Sequence, residues 1–388
     1  MNMRAAHHPA SRGITAAPVG ARPGATGIPG NAPETACAID MEGTRLSSVT
    51  TGLASAPGIV SSSTLPNRAT QALHADAAPR QVPVSTGERP RHVPHASAIT
   101  DTETHTPAGV PSAATASHLA HRLGRLAVCA LHAELACAPK PGLVTPFDAG
   151  SHTDMDASTF LRSLFALRGY FVAIAQAGIA QAPFEHLRQL GIAAEAAMAR
   201  ATGGINTHRG AIFSLGLLTA QAARLRAVHG RQPSGEQVCC AVQAWSAALQ
   251  AAPLDSQSHG QRMRAQYRVA GVREQAAAGY PLLRDVALPS LRAALAGGAS
   301  REAALAQTLM QLIAEVDDLN LLHRGGQAGL AHAQQQARAF LAAGGIAQAG
   351  WRAQLARIGD GFVVRRLSPG GSADLLACAW FLHAQEAL

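Results

Sequence analysis

Lysine is almost absent from this chain: of 32 basic residues among 388, Lys140 is the one lysine. Arginine supplies every other positive charge, so a compact ammonium at 140 marks a position with its own requirement. Aromatic residues are scarce as well, fifteen in all, and none precedes Phe147. That excludes a packed core from the N-terminal 117 residues, where Pro, Ala, Ser, Thr, Gly and His dominate and too little apolar surface exists to offset ordering entropy. A disordered segment is expected over 1–117. Translation begun too far upstream in a GC-rich gene yields the same composition, so this segment is either a disordered leader or no part of the working protein.

Other absences narrow the class. The six cysteines (Cys37, Cys129, Cys137, Cys239, Cys240 and Cys378) show no paired CxxC spacing, which argues against zinc and for buried free thiols. No run of about 18 apolar residues is present, and the start lacks a basic-then-apolar export signal, so a soluble cytoplasmic protein without a membrane partner is expected. The net charge is +8, and after residue 117 there are 24 Arg plus Lys against 17 Asp plus Glu. With no basic cluster interleaved with aromatics, nucleic acid is not the expected partner. Scattered arginines suit a small polyphosphate.

What is present after residue 117 is helical periodicity. Ser117 is placed to cap a helix carrying Leu119, Leu123, Leu126, Ala130, Leu131 and Leu135, which Pro139 and Pro141 end. Asp156 is placed to cap a second through Phe160, Leu164, Leu167, Phe171 and Ile174. Further helical runs occupy about 183–201, 210–228, 235–251, 261–278, 300–316, 320–342 and 372–386. The one β-like run, 361–364, is too isolated to build a sheet. The expected fold is a single all-α domain over 118–388.

Four polar clusters interrupt the pattern. The first, 140–156, runs Lys140-Pro141-Gly142-Leu143-Val144-Thr145-Pro146-Phe147-Asp148-Ala149-Gly150-Ser151-His152-Thr153-Asp154-Met155-Asp156. It suits Mg²⁺ shared with phosphates, or a solvated loop ending in an Asp cap. The second is Ala201-Thr202-Gly203-Gly204-Ile205-Asn206-Thr207-His208-Arg209-Gly210, with Glu195 two turns upstream. It reads either as helix punctuation, Gly203 or Gly204 ending one helix and Asn206 or Thr207 starting the next, or as a phosphate and hydroxyl site. In the third, 315–326, the adjacent Asp317 and Asp318 need a cation or a helix N-terminus. The fourth, Leu367-Ser368-Pro369-Gly370-Gly371-Ser372-Ala373-Asp374-Leu375-Leu376, opens a helix whose free N–H groups favour a phosphate. His259, Gly260, Arg273 and Glu274 read as surface. Four such loops in one apolar domain point to a shared pocket.

Pro139-Lys140-Pro141-Gly142-Leu143-Val144, Gly150-Ser151-His152-Thr153-Asp154-Met155-Asp156, Asn206-Thr207-His208-Arg209-Gly210-Ala211-Ile212-Phe213-Ser214-Leu215-Gly216 and 368–376 together resemble the triphosphoribosyl-dephospho-CoA synthase family, in order over about 134–381. Thr145 and Asp148 resemble the malonate decarboxylase branch more than the citrate lyase branch. Arg209 stands where the family has Lys, Arg366 where it often has Asn, and Asp318-Leu319-Asn320 where it has Asp-Thr-Asn, which favours Asp318 over Asp317.

The resemblance implies transfer of the 5-triphosphoribosyl group of ATP to the 2′-hydroxyl of 3′-dephospho-CoA with release of adenine. The product would pass to a holo-acyl carrier protein synthase (phosphoribosyl-dephospho-CoA transferase). Lys140, Arg209 and Arg324 would hold phosphates, with Ser368, Gly370, Gly371 and Ser372 at a helix start. Asp154, Asp156, Asp318 and Asp374 would hold Mg²⁺ or act as base. Asn206, Thr207 and His208 would bond ribose or phosphate, with His208 also an acid toward adenine. The catalytic set is then Asp154, His208 and Asp318. A non-enzymatic nucleotide-binding helical protein and an all-α hydrolase of ADP-ribose-type bonds are the rival readings.

Overall fold

The structure, a computed structural model, describes residues 112–252 and 259–388. The first helix, α1 (Ala113–Ala136), starts four residues before the expected cap. Ser112, not Ser117, accepts the Thr115 N–H at 3.2 Å. Residues 113–117 are therefore helical, and the rest of the segment expected to be disordered, 1–111, lies outside the described residues.

After the loop over 140–156, α2 (Ala157–Ile179) begins at the expected cap, Asp156, whose Oδ1 accepts from Thr159 N at 2.9 Å. Next come α3 (Phe184–Thr202) and α4 (Arg209–His229). The run expected over 235–251 is α5 (Gly235–Ala241), a 3₁₀ turn and α6 (Ser246–Ala251). That over 261–278 divides into α7 (His259–Tyr267) and α8 (Val272–Ala277).

Two helices were not expected. A π-helical turn (Leu282–Ala287) leads without a break into α9 (Leu288–Ala296), where Pro289, which has no N–H to donate, directly follows the widened turn. After α10 (Arg301–Glu315) and α11 (Leu319–Ala342) comes α12 (Trp351–Val364), whose last turn is the run read as β-like. Trp351, Leu355, Ile358 and Phe362 are its buried face, a helical spacing, while Val363 and Val364 are exposed. The chain closes with α13 (Gly370–Gln385). No strand occurs among the described residues.

Two helices occupy the centre. Both α4 and α13 are buried on nearly every side, so they lack the one-sided apolar stripe of a surface helix. They pack on each other; α2 covers α4, α10 covers α13, and α1 touches both. Fully buried side chains such as Phe171, Ile212, Leu215, Phe340 and Phe381 fill the core, each contributing roughly 1.5–3 kcal/mol by removal from water. Helix contacts are close: a Cβ at Gly178 would meet the Ala220 carbonyl oxygen at 2.1 Å, so α2 reaches α4 only through glycine. Of the five described cysteines, all free, Cys137, Cys239 and Cys378 are buried as expected, but Cys129 and Cys240 are exposed. No described helix is long and apolar enough to cross a membrane.

Candidate active site

Both central helices, and α11 beside them, begin at one cavity of about 990 Å³, at the top of the ~300–1,000 Å³ range of small-molecule sites. The N-terminal segments Asn206–Gly210, Asp318–Asn320 and Gly370–Gly371 all line it. Three helix starts turn the positive ends of their dipoles to one space, a setting for anions in which Asn206, Asp318 and Asp374 already accept from several first-turn N–H groups. Arg188, Arg209, Arg264, Arg273 and Arg324 also stand on its walls.

The second cluster joins punctuation and site. Gly203 is the left-handed cap that ends α3, and Asn206 Oδ1 accepts from Arg209 N at 3.1 Å. Thr207 caps nothing: its buried hydroxyl has no hydrogen-bond partner. Arg209 pairs with Glu195 at 2.8 Å. His208 is buried, its Nδ1 2.7 Å from Ser163 Oγ and its ring edge-on to Phe160, while Nε2 has no partner. Burial, and then the nearby Lys140 charge, push its pKa down to about 3. The ring, kept neutral by desolvation, suits a hydrogen-bonding role better than that of an acid toward adenine. It offers Nε2 as a neutral hydrogen-bonding group.

Arg324 ties the first, third and fourth clusters together. It donates to the carbonyls of Ser151 (3.0 Å) and Arg366 (3.2 Å) and to His152 Nδ1 (3.0 Å). Because Nδ1 accepts from arginine, His152 donates through Nε2 to Ser368 Oγ at 2.9 Å. Its pKa is lowered by burial and by Arg324, in keeping with a neutral ring.

The carboxylates separate into different roles. Asp318 is buried; Oδ1 accepts from Asn320 N (2.9 Å) and Leu321 N (3.4 Å), and Oδ2 from Ser372 N (2.8 Å) and Oγ (3.0 Å). It caps α11 and pins the start of α13. Asp374 accepts from Ala211 N at the start of α4, and desolvation, then Glu134 and Asp318, raise its pKa well above the usual carboxylate range. Asp154 and Asp156 are exposed and outside the lining. Asp156 is the α2 cap, held at about pKa 2 by the Thr159 N–H, and Asp154 lies 3.6 Å from His152. The four carboxylates expected to share Mg²⁺ thus do not assemble, and no group of three or more His, Cys, Asp or Glu able to hold a metal is found among the described residues.

Lys140 does not line the cavity either. Its buried ammonium donates to the Glu134 carbonyl (2.7 Å) and carboxylate, standing behind Glu134, which does face the cavity. Ser372 likewise sits behind Gly370 and Gly371, bound to Asp318. Gly260, Arg273 and Glu274, read as surface, are on the wall, as are Glu315 and Asp317. Glu134, Ser214, Gln275 and Tyr280 were not anticipated. Of these, Glu134 carried a signal, as the lone acid on the apolar face of α1.

One pattern sets this cavity apart. Six buried side-chain polar atoms lack a hydrogen-bond partner among the described residues, and five of them, on Thr207, His208, Ser214, Gln275 and Tyr280, belong to residues of its wall. Such groups are costly unless something bonds them.

The sequence matches the family model described as ATP:dephospho-CoA triphosphoribosyl transferase (CitG) over residues 120–388. It is 41% identical to a probable 2-(5''-triphosphoribosyl)-3'-dephosphocoenzyme-A synthase of Citrobacter koseri, and 39% identical to one of Acinetobacter calcoaceticus. It is 37% identical to the 2-(5''-triphosphoribosyl)-3'-dephosphocoenzyme-A synthase of Escherichia fergusonii. Each alignment covers 70% of this chain and 93% of the relative. No solved structure matches.

Proposed function

Since the chain belongs to the ATP:dephospho-CoA triphosphoribosyl transferase family and is a transferase of that kind, we propose that its cavity carries the 5-triphosphoribosyl group of ATP to the 2′-hydroxyl of 3′-dephospho-CoA, releasing adenine. The observation that supports this reading is the gathering of unpartnered buried polar atoms beside three helix starts and five arginines. Neutral donors and acceptors suit sugar and base; dipoles and guanidinium groups suit two polyanions. The binding-protein reading leaves unexplained why Glu134, Asp318 and Asp374 crowd the same space.

In the proposed step the 2′-oxygen bonds to ribose C1 as the C1–N9 bond breaks. Asp374 takes the hydroxyl proton, and adenine leaves with one proton taken up. A carboxylate with a raised pKa suits that task better than an ordinary one. Asn206, Thr207 and the neutral His208 bond ribose or phosphate oxygens. Arg209 and Arg324, with the starts of α4, α11 and α13, hold the triphosphate. Ser368, Gly370 and Gly371 complete that wall, with Asp318 in the wall and Lys140 and Ser372 behind it holding it in position. Glu315 and Asp317, exposed on the wall, would be the residues to hold Mg²⁺, which takes few protein carboxylates and would neutralise phosphate charge.

We assign the product to the malonate decarboxylase route, with a holo-acyl carrier protein synthase as recipient and the cytoplasm as location. The support is Thr145 and Asp148, which form a turn, Thr145 Oγ1 donating to Asp148 Oδ2 at 2.9 Å, outside the cavity lining. The route would thus leave the chemistry unchanged. Incubation of the protein with ATP, Mg²⁺ and dephospho-CoA tests the activity: adenine release that requires dephospho-CoA supports it, and release without it favours a hydrolase.

A further inference from the structure

The buried end of the cavity is assigned to no part of either substrate by the reading above. Ser214 and Tyr280 are each 1% exposed, and their hydroxyls stand side by side with no partner beyond each other among the described residues. Gln275 Oε1 is likewise buried and unpartnered. Its backbone carbonyl accepts from Tyr280 N at 2.7 Å, so the two residues close one turn. Tyr280 holds φ +49, a left-handed conformation disfavoured for an aromatic residue, directly after Gly279 at φ +74. A bulky side chain kept in that conformation, its phenol with no partner beyond Ser214 among the described residues, is what a ligand clamp shows.

The position along the helices is informative. Ser214 lies one turn beyond Gly210 on α4, and Cys378, which faces Tyr280, lies one turn beyond Asp374 on α13. The cluster is therefore about one helical turn, ~5.4 Å, past the Asp374–Gly210 contact. Tyr170, Ile174 and Leu217 supply apolar walls, and the Tyr170 ring is fixed by its hydroxyl bond to the Ile212 carbonyl at 2.8 Å.

We propose that this end, formed by Ser214, Gln275 and Tyr280, seats a purine base, namely the adenine that leaves the ATP donor. This rests on the synthase reading above. A purine offers an exocyclic amino donor for Gln275 Oε1 and ring-nitrogen acceptors for the two hydroxyls. The leaving base is bonded to the carbon under attack, so it must lie within a base's length of the group that takes the hydroxyl proton. The pantetheine arm of dephospho-CoA is attached beyond the diphosphate and has no such constraint. The acceptor carries an adenine of its own, with the same chemistry, so the two sources need separating.

The test is calorimetric titration of free adenine, and separately of tripolyphosphate, into the full-length protein and its Ser214→Ala, Gln275→Leu and Tyr280→Phe variants, with thermal melts to verify folding. Adenine binding should weaken about tenfold in Gln275→Leu and in at least one hydroxyl variant, while tripolyphosphate binding stays within about twofold. In the wild type, ATP should displace bound adenine. Unchanged adenine affinity in all three folded variants, or no adenine binding to the wild type, overturns the assignment. Displacement by dephospho-CoA but not by ATP overturns the donor as source. Because these titrations need no turnover, they stand apart from the adenine-release assay: absent release with intact, variant-sensitive adenine binding would contradict the synthase reading and leave the purine seat in place.

Discussion

The Asp374 carboxylate rests against Gly210 so closely that a Cβ at 210 would come within 2.1 Å of its Oδ2. Gly210 lies in the first turn of α4 with ordinary helical backbone, so glycine is required there by contact and not by conformation. Gly210→Ala should displace the carboxylate, cost about 1–3 kcal/mol of stability by overpacking, and lower kcat at least tenfold. Steady-state kinetics alongside urea unfolding check this; near-wild-type kcat would show that the placement of Asp374 is unimportant.

Asp374→Asn should separate stability from activity. Desolvation and the neighbouring Glu134 and Asp318 raise the pKa of this carboxyl in the folded state. Its contribution to stability is thus whole below the unfolded value near 3.8 and lost as pH rises through the folded one. The amide escapes that loss. Asp374→Asn should be more stable than wild type at pH 7–8 by about 0.5–2 kcal/mol, with the difference closing below pH 4, while turnover disappears. In the wild type, kcat/KM should rise with pH through the raised pKa, as a base requires.

His208 predicts the opposite slope. With a folded pKa near 3 against an ordinary 6.5, the unfolded chain binds a proton that the folded one refuses between those values. Stability should be fully present above pH 6.5 and fall progressively toward pH 3. His208→Asn should make the loss in that window shallower in pH-dependent thermal melts, and the wild-type rate profile should show no limb from His208 between pH 5 and 8.

The link from Asp318 to Ser372 joins the starts of α11 and α13. Asp318→Ala leaves the Asn320, Leu321 and Ser372 N–H groups without their acceptor and should cost about 3 kcal/mol. The urea midpoint should fall with little change in slope. An unchanged midpoint would remove Asp318 from the scaffold and return it to the candidates for metal or proton chemistry.

How much of this was legible follows from where each signal resides. Asp156 capping α2 and Gly203 ending α3 are local backbone chemistry, written in neighbouring residues, and both were readable. Two helices were hidden by single-residue habits that tertiary packing overrode. The stretch 281–296, with Pro281 and Pro289, was given no helix, yet it is helical throughout, with a π-helical turn ahead of Pro289; Val363 and Val364 read as strand, yet Phe362 is the buried residue and the valines face outward. Among the site residues, those in polar glycine loops were found. Lys140 was assigned to phosphate because an ammonium suits one, whereas it neutralises Glu134, six residues earlier and across the end of α1. Ser214 and Tyr280 left no trace, since a hydroxyl in an apolar run looks satisfied until the packed structure shows that the two have no partner beyond each other.

The central claim is that one cavity joins ATP to dephospho-CoA and expels adenine. It is tested most directly by quantifying adenine and the coupled product together, by chromatography and mass spectrometry, with each substrate withheld in turn. Equimolar adenine and triphosphoribosyl-dephospho-CoA, formed when both substrates are present and abolished in Asp374→Asn, is the result this mechanism predicts. Adenine formed without dephospho-CoA, or full turnover in the Asp374→Asn variant, would contradict it.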